Sequence, residues 1–222
     1  LTVDRLAFKD LNKNGTLDPY EDWRLSTEER ANDLASKMSV EQIAGLMLYS
    51  AHQSIPGGGN SFFGAVTYNG KPYDESGAKP SDISDAQKKF LLEDNLRHVL
   101  ITSVESPGIS AQWNNNAQAL VEGIGLGIPI NTSSDPRHGS DSYAEFNAGA
   151  GGKISMWPST LGLAASFDPA LMEQFGKIAS KEYRALGIAT ALSPQIDLAT
   201  EPRWSRFDGT MGEDPKLAAD MA

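Results

Sequence analysis

The 222-residue sequence contains no cysteine. This absence excludes disulfide bonds, thiolate metal sites and cysteine nucleophiles, but it does not decide the compartment, because exported proteins can also lack cysteine. Basic residues are scarce as well, since 19 Lys and Arg stand against 29 Asp and Glu, for a net charge of -10. No basic run could follow a phosphate backbone, so we do not expect nucleic acid as a partner.

Long apolar runs are also missing. No stretch approaches the roughly 20 residues that cross a bilayer, so we expect no membrane span. The N-terminal sequence LTVDRLAFKD has neither the basic start nor the apolar core of a signal peptide. We therefore expect either a cytoplasmic protein or one from which a signal was removed. The remaining composition, 40% hydrophobic and 22% charged, is typical of a folded globular chain.

Two helix starts lie close together after an N-terminal segment that spans residues 1–25. The sequences STEE from Ser26 and SVEQ from Ser39 are capping boxes. In a capping box the serine side chain accepts a backbone N–H of the first helical turn, and the side chain of the fourth residue accepts the serine N–H. Apolar residues at helical spacing follow each of them. We predict a helical lead-in to one domain, which we place at residues 26–222.

Strand and helix patterns alternate in the rest of the chain. The predicted strands are residues 98–104, 128–135 and 189–197. A helix through Trp113 and Val121 separates the first two, and a helix that begins after Asp168 and stops at Gly187 separates the second and third. Apolar strands that alternate with helices indicate an α/β fold with parallel strands. Three strands are too few to close an eight-stranded barrel, so we expect an incomplete (β/α) barrel of the TIM-barrel type.

A segment rich in Gly, Pro, Ser and Asn interrupts this pattern between residues 54 and 82. Its composition predicts a long loop or an irregular hairpin. Its length exceeds that of an ordinary connection. We interpret it as a functional edge or a mobile insert, with an ordered surface excursion as the alternative.

Carboxylates stand at the ends of two predicted strands, and each is followed by a polar loop. Asp135 is followed by PRHGSDS, and Asp197 by LATEPRWSRFDGTMGED. The carboxyl ends of parallel strands meet at one edge of a sheet, so both loops should face one crevice. Arginine forks bind hydroxyls or carboxylates, and an indole stacks on a sugar ring, so the second loop suits a sugar. A purely structural, salt-bridged loop would suit this sequence equally well.

Several motifs occur in the order found in one enzyme family. They are GIPINTSSDPRHG, WPSTLGLAASFDP, EYRALGI, SPQIDLATEPRWSR and GEDP. In this respect the chain resembles the β-glucosidases of glycoside hydrolase family 3, from about Ser26 to its end. The resemblance implies a barrel or barrel-like first domain, followed in the complete enzyme by an α/β sandwich domain, with the active site between the two.

The resemblance also implies which residues touch the substrate. The family's aspartate at the position of Asp135 hydrogen-bonds hydroxyls of the terminal sugar, and its arginine at the position of Arg206 binds the same sugar. The family's nucleophilic aspartate, its Lys-His pair and its acid/base glutamate have no counterpart in these residues. We therefore expect no catalytic residue within this chain, which would be inactive alone. Nor do we expect a cofactor to be required for catalysis.

Further residues of the same loops are candidates for supporting roles. They are His138, Asp197, Arg203, Trp204 and Asp208. We interpret His138 as a structural hydrogen-bonding residue rather than a base. Asp197 is expected to support its loop rather than to bind sugar. The loop departs from the family pattern at Ser205, where glycine is usual, and at Gly209, where glutamate is common, which leaves the finer substrate preference open.

The N-terminal sequence DLNKNGTLDPYE matches the consensus of a calcium-binding loop. The ligand positions are Asp10, Asn12, Asn14, Thr16, Asp18 and Glu21, with Gly15 at the sharp turn. Alternate oxygen ligands and a terminal bidentate glutamate are what a hard cation requires. Against a metal site, the incoming helix is missing or short and Pro19 lies inside the loop. A loop closed by its own Asx turns is the alternative.

These observations predict a retaining glycosidase that removes terminal β-D-glycosyl residues, most simply β-glucosyl ones. Its partners would be an oligosaccharide or β-glucoside and the remainder of its own chain. We expect a periplasmic or secreted protein whose signal has been removed, with a cytoplasmic location still open. The alternative is a non-catalytic carbohydrate- or calcium-binding module of the same fold. A scaffold-docking module is disfavoured because the calcium-type loop occurs once.

Overall fold

The computed structural model of the protein describes residues 1–57, 60–61, 64–134, 138–139 and 153–222. The helices within these residues are α1 (Thr27–Lys37), α2 (Val40–Leu46), α3 (Tyr73–Ser76), α4 (Asp85–Leu92), α5 (Pro107–Val121), α6 (Thr160–Ala164), α7 (Pro169–Leu186) and α8 (Pro215–Met221). The strands are β1 (Thr2–Val3), β2 (Leu6–Ala7), β3 (Gln53–Ile55), β4 (Asn60–Ser61), β5 (Gly64–Ala65), β6 (Thr67–Tyr68), β7 (Lys71–Pro72), β8 (His98–Val104), β9 (Asn131–Ser134) and β10 (Thr190–Ala191). Short 3-10 turns lie at Pro19–Glu21 and Phe207–Gly209.

Both helices of the lead-in begin where the capping boxes predicted. The Ser26 hydroxyl accepts a hydrogen bond from the Glu29 N–H at 3.2 Å, and the Glu29 carboxylate accepts one from the Ser26 N–H at 3.0 Å. Ser39 and Gln42 repeat this exchange at the start of α2. Each serine thus satisfies an N–H group that the helix itself cannot pair. The helical lead-in is confirmed.

A four-stranded parallel sheet, in the order β3-β8-β9-β10, forms the centre of the molecule. Its strands follow the order of the chain. Helix α5 connects β8 to β9 and helix α7 connects β9 to β10. Consecutive parallel strands joined by crossover helices are the repeating unit of a (β/α) barrel. The predicted α/β class, with parallel strands and barrel-like progression, is confirmed.

The main core lies between this sheet and helices α4, α5 and α7. Leu91, Val99, Trp113, Val121 and Leu186 are all 1% exposed or less. The indole N–H of Trp113 donates to the side-chain oxygen of Gln87 at 3.1 Å, so its polar atom is satisfied within the core. Truncating a buried tryptophan of this kind typically costs about 3 to 5 kcal/mol. This core holds the carboxyl ends of β9 and β10 in fixed positions.

Helix α7 ends at Gly187, as its sequence predicted. Gly187 has a φ of 85°, in the left-handed region that glycine adopts without a steric cost. A Cβ atom here would lie 2.7 Å from the side chain of Asn114 on α5. Glycine therefore serves both to stop α7 and to let its end approach α5.

Two of the predicted strands are shorter than expected. Strand β9 covers Asn131–Ser134 rather than residues 128–135, and Asp135 lies outside the described residues. Strand β10 covers Thr190–Ala191, so residues 192–197 were wrongly predicted as strand. Pro194 has no N–H group with which to continue a ladder. Asp197 consequently does not end a strand, but lies six residues beyond one.

The segment predicted as a long loop contains more regular structure than its composition suggested. Strand β3 begins one residue before it, ends within it, and pairs in parallel with β8. Beyond β3 follow two short antiparallel pairs, β4 with β5 and β6 with β7. The Asp85 carboxylate at the start of α4 accepts hydrogen bonds from Thr67, Asn69 and Gly70. The expectation of an irregular hairpin is confirmed, whereas β3 was missed because three residues carry too little pattern.

Candidate functional site

Two segments follow the carboxyl ends of β9 and β10, where ligand chemistry is found in folds of this type. The first, which we call the neck, consists of residues 138–139 and 153–157, on either side of residues 140–152, which lie outside the described part of the chain. The second, which we call the arginine loop, consists of residues 192–212. Asp135 lies outside the described residues. That it binds the same sugar as Arg206 therefore stays a prediction.

The two sides of the neck are joined by their backbones and fastened to α7. The Trp157 N–H donates to the His138 carbonyl at 2.6 Å. Glu182 of α7 accepts from the Ser155 N–H at 3.1 Å and from the Ser155 hydroxyl at 2.6 Å. That hydroxyl also accepts the Trp157 indole N–H at 3.0 Å. A single carboxylate on α7 therefore fixes one side of the neck.

The same carboxylate reaches the other side of the neck through His138. This histidine is 3% exposed, and its ring packs against Phe175 and Tyr183 of α7. Its Nε2 atom lies 2.9 Å from Glu182 Oε2. The two atoms are close enough for a hydrogen bond, but the ring N–H is not aligned with the carboxylate oxygen. The pair therefore forms a close polar contact.

Burial determines the charge state of His138, whereas polar contacts determine that of Glu182. Loss of water lowers the pKa of His138, and the neighbouring Glu182 only partly opposes this. Burial alone would raise the pKa of Glu182, but the hydrogen bonds from Ser155 and the contact with His138 outweigh it, so the pKa is lowered. At neutral pH we expect a neutral imidazole beside an ionised carboxylate. His138 thus lies buried against α7, in the surroundings of a structural residue.

In the arginine loop, Arg203 is bound by a carboxylate. Its Nε donates to Glu201 Oε1 at 2.8 Å and its Nη2 to Glu201 Oε2 at 2.7 Å. Both side chains are exposed. The bidentate contact lowers the pKa of Glu201 to about 2. The charge of Arg203 is therefore compensated within the loop.

Three of the predicted residues share one open groove in this loop. The groove has a volume of ≈ 540 Å³, and its lining residues are Asp197, Leu198, Thr200, Glu201, Arg203 and Trp204. An open groove with an indole and polar groups is suited to a sugar ring, which presents apolar faces and a rim of hydroxyls. The structure thus brings Asp197, Arg203 and Trp204 together.

Arg206 contacts a residue that the sequence did not single out. Its Nη2 donates to the side-chain oxygen of Gln195 at 3.0 Å, and Gln195 Nε2 donates to the Arg206 carbonyl at 3.4 Å. Arg206 is otherwise exposed, and Asp208 lies just beyond it in the turn Phe207–Gly209. Gln195 was hidden because it falls in the run predicted as a strand. No local pattern indicated that it would meet a residue eleven positions later.

A second cavity lies behind the arginine loop, against α7. Its volume is ≈ 310 Å³, and its lining includes His138 from the neck, Phe175 and Tyr183 from α7, Pro194 and Met211 from the arginine loop, and Met221 from α8. The neck, α7 and the arginine loop therefore meet around one mostly apolar space.

The calcium-type loop is closed by its own hydrogen bonds. The Asp10 carboxylate accepts the N–H groups of Asn14 and Gly15 at 3.1 and 3.0 Å. The amides of Asn12 and Asn14 both donate to Asp18 Oδ2, at 2.6 and 2.7 Å. These bonds, the one from Asn12 first, lower the pKa of Asp18. The Asn14 N–H also donates to the Asn12 side-chain oxygen at 3.1 Å, which is an Asx turn of the alternative interpretation.

The remaining two candidates of this loop are also engaged. The N–H of Thr16 donates to the side chain of Asn14 at 2.7 Å. The Glu21 carboxylate is buried and accepts the N–H groups of Leu11 at 2.6 Å and Asp18 at 3.0 Å. Across the described residues, no three acidic or histidine side chains are gathered as a metal cluster. A cation would have to displace some of these hydrogen bonds.

This loop docks on the connection between α5 and β9. Lys9 pairs with Glu122, and the Tyr20 hydroxyl donates to the Leu126 carbonyl at 3.2 Å. Gly127, with a φ of 63°, allows the approach, since a Cβ atom there would lie 2.8 Å from Leu11. The connection enters β9, so the loop lies at the opposite end of the sheet from the neck and the arginine loop.

Comparison with known proteins gives a consistent result. The family model described as "Glycosyl hydrolase family 3 N terminal domain" matches residues 59–222. A "Periplasmic beta-glucosidase/beta-xylosidase" of Dickeya chrysanthemi is 46% identical over 100% of this chain and 31% of its own length. "Beta-glucosidase C" of Emericella nidulans is 35% identical over 96% of this chain and 31% of its own length. The chain therefore spans about a third of these relatives.

Solved structures of low sequence identity share the fold. A β-glucosidase from Erythrobacter marinus superposes with a TM-score of 0.66 at 24% identity, over 92% of this chain and 23% of its own. A family 3 β-N-acetylglucosaminidase from Paenibacillus sp. gives a TM-score of 0.59 at 20% identity, over 83% of this chain and 29% of its own. In the described residues no helix has the length and apolarity of a membrane span. By its ordered motifs, its parallel sheet and the family match, the chain belongs to glycosyl hydrolase family 3 and contains part of that family's N-terminal domain.

Proposed function

We propose that this chain supplies sugar-binding residues to a retaining glycosidase that releases terminal β-glucosyl residues. The observation that carries the proposal is the exposed Arg206 guanidinium, held by a neutral amide in the loop that forms the indole-lined groove. Relatives named as β-glucosidases support the substrate class. The chain spans about a third of these relatives. We therefore propose the activity for the natural gene product and not for these 222 residues alone. Its nucleophile and acid/base carboxylates would come from residues outside these 222.

The chain's own residues would bind and orient the sugar rather than break its bond. Arg206 would donate N–H groups to hydroxyls of the terminal sugar, and the Asp135 carboxylate would accept from hydroxyls of the same ring. Trp204 offers an apolar surface for a sugar face. The chemistry would be a double displacement, with a covalent glycosyl intermediate formed on a carboxylate and then hydrolysed. We propose that this needs no cofactor.

Substitution of the two binding residues tests the proposal. Hydrogen bonds to a charged group contribute roughly 1.5 to 3 kcal/mol. Asp135→Asn and Arg206→Ala should therefore each lower kcat/KM for an aryl β-glucoside by about ten-fold to a few hundred-fold in the natural gene product, with folding preserved. Steady-state kinetics and the thermal unfolding midpoint would be measured together.

Asp197→Asn is the comparison variant: Asp197 lines the groove, but we interpret it as a support of its loop and expect its substitution to act mainly on stability. If Asp197→Asn abolished turnover in a stably folded enzyme while Arg206→Ala did not, these roles would be wrong. Sugar binding without hydrolysis by the natural gene product would favour the non-catalytic alternative instead.

We also propose a periplasmic or secreted location. The support is the name of the Dickeya chrysanthemi relative, which calls that protein periplasmic. Fractionation of cells that express the natural gene, with its own start, tests this. Recovery of the protein with cytoplasmic markers would contradict it.

We propose, finally, that the loop from Asp10 to Glu21 binds Ca²⁺. Its support is the match to the consensus, together with the convergence of the Asn12 and Asn14 side chains on one Asp18 oxygen. Oxygen-bearing groups at three ligand positions are thus already close together, and turning the two amides would point their oxygens inward. Glu21 would have to exchange its backbone hydrogen bonds for the ion. Calcium would then stabilise the packing of the loop on residues 122–127.

Calcium should raise the thermal unfolding midpoint, because a ligand that binds only the folded state stabilises it. Glu21→Gln should abolish the rise, since the amide can still accept N–H groups but no longer offers a bidentate carboxylate. Glu28→Gln, an identical change on the exposed side of α1, should leave it intact. Differential scanning calorimetry with calcium and with EDTA measures both. An equal midpoint in the two conditions would leave the loop as a set of Asx turns.

A further inference from the structure

The two arginines of the arginine loop are held in chemically different ways. Arg203 is paired with the Glu201 carboxylate through two N–H groups, so its charge is compensated. Among the described residues, the Arg206 guanidinium has one hydrogen-bonding partner, the neutral amide of Gln195. A guanidinium has five N–H donors in a rigid fork, so a single bond leaves most of them for a ligand. Gln195 orients Arg206 without neutralising it.

Gln195 forms two hydrogen bonds with Arg206. Its amide oxygen accepts from the guanidinium, and its amide nitrogen donates to the Arg206 backbone carbonyl, which also accepts the Gly209 N–H at 3.2 Å. The side-chain direction and the local backbone of Arg206 are thus tied to the same amide. The half-buried Gln195 lies four residues beyond β10, so the amide links the arginine to the sheet.

Gly209 provides the room for this arrangement. A Cβ atom at position 209 would lie 3.0 Å from the Gln195 amide oxygen, closer than an ordinary carbon-oxygen contact. A residue with a Cβ atom at this position would require the amide to shift by a few tenths of an ångström. The loop therefore contains a specific space that the Gln195 side chain fills.

We propose that Gln195 is a positioning residue that holds Arg206 in the direction needed to bind a neutral, hydroxyl-rich ligand. The proposal rests on the proposed function, because it takes Arg206 as a sugar ligand. A carboxylate in place of Gln195 would weaken that role, since it would compensate the charge that strengthens hydrogen bonds to hydroxyls. An amide fixes the fork and keeps its charge available.

The test is a double-mutant cycle in the natural gene product, read out as kcat and KM for an aryl β-glucoside. Gln195→Leu removes both hydrogen bonds at similar volume and should lower kcat/KM by about three-fold to thirty-fold. In the Arg206→Ala background the same change should have less than about a two-fold further effect, because residues that act as a unit are not additive. Gln112→Leu, which removes an exposed amide of α5 bonded to Asn116, is the matched control and should leave kinetics unchanged.

Gly209→Ala gives an independent variant that keeps the amide but displaces it. It should cause a smaller loss in the same direction, and this loss should also vanish in the Arg206→Ala background. If Gln195→Leu and Gly209→Ala leave kcat/KM unchanged while Arg206→Ala lowers it, the positioning role is wrong and the proposed function stands. Equal losses in both backgrounds would also overturn positioning. If Arg206→Ala itself has no effect, the proposed function fails.

Discussion

The neck and the arginine loop follow neighbouring strands of one sheet, but different contacts hold their polar side chains in place. The neck is held by a carboxylate of α7 that contacts Ser155 and the buried His138. The arginine loop has buried anchors in Ala199, Thr210 and Met211, but its exposed arginines are held by polar pairs on the surface, Arg203 with Glu201 and Arg206 with Gln195. Buried polar contacts are costly to lose, whereas exposed ones contribute little to stability.

This difference separates stability from binding at one edge of the sheet. A residue whose side chain is hydrogen-bonded within the protein, like Glu182, stabilises the fold. A residue whose donors still face solvent, like Arg206, is available to a ligand. Substitutions in the neck should therefore act mainly on unfolding, and substitutions at Arg206 mainly on kinetics.

The largest effect on stability is expected from Glu182→Ala. The change leaves the Ser155 N–H and the His138 ring without their carboxylate, at a cost of about 2 to 3 kcal/mol. For a domain of this size that corresponds to a fall of roughly 4 to 12 °C in the thermal unfolding midpoint. Glu173→Ala is the matched control on the same helix, since Glu173 is an exposed partner of Lys177 and should not change the midpoint measurably. Equal midpoints for the two variants would refute the role given to the neck.

The smallest effect is expected from Glu201→Gln. Its strongly lowered pKa reflects the bidentate contact with Arg203, but both groups are exposed and solvent screens their attraction. We expect an unfolding midpoint that is unchanged within experimental error, which calorimetry can check. A fall comparable to that of Glu182→Ala would mean that the arginine loop is as strongly stabilised as the neck.

The sequence was most informative where a structural signal is local. The capping boxes at Ser26 and Ser39, and the Gly187 stop, depend on neighbours within four residues, and each ends or begins a helix as predicted. The extents of β3 and β10 were not predictable, because pairing with a distant strand decides them. Pattern alone suggested nine strand residues in 189–197 where the sheet uses two.

The site shows the same division. Motif order predicted Arg206 as a sugar ligand, which stays a prediction, and the structure brings the predicted Trp204, Arg203 and Asp197 into one groove. Gln195 and Glu182 were missed because their roles arise from long-range contacts, with Arg206 and with Ser155. A glutamine in a presumed strand and a glutamate on a helix carry no individual signal. Such partners can be found only once the fold places them.

The most direct test of the account compares Arg206→Ala with Glu182→Ala in the natural gene product, measuring kcat/KM and the unfolding midpoint for both. We predict that Arg206→Ala lowers kcat/KM by at least about ten-fold at an unchanged midpoint, whereas Glu182→Ala lowers the midpoint by several degrees. An Arg206→Ala enzyme that is destabilised as much as Glu182→Ala, or that retains full activity at its original stability, would contradict the division between a structural neck and a ligand-binding loop.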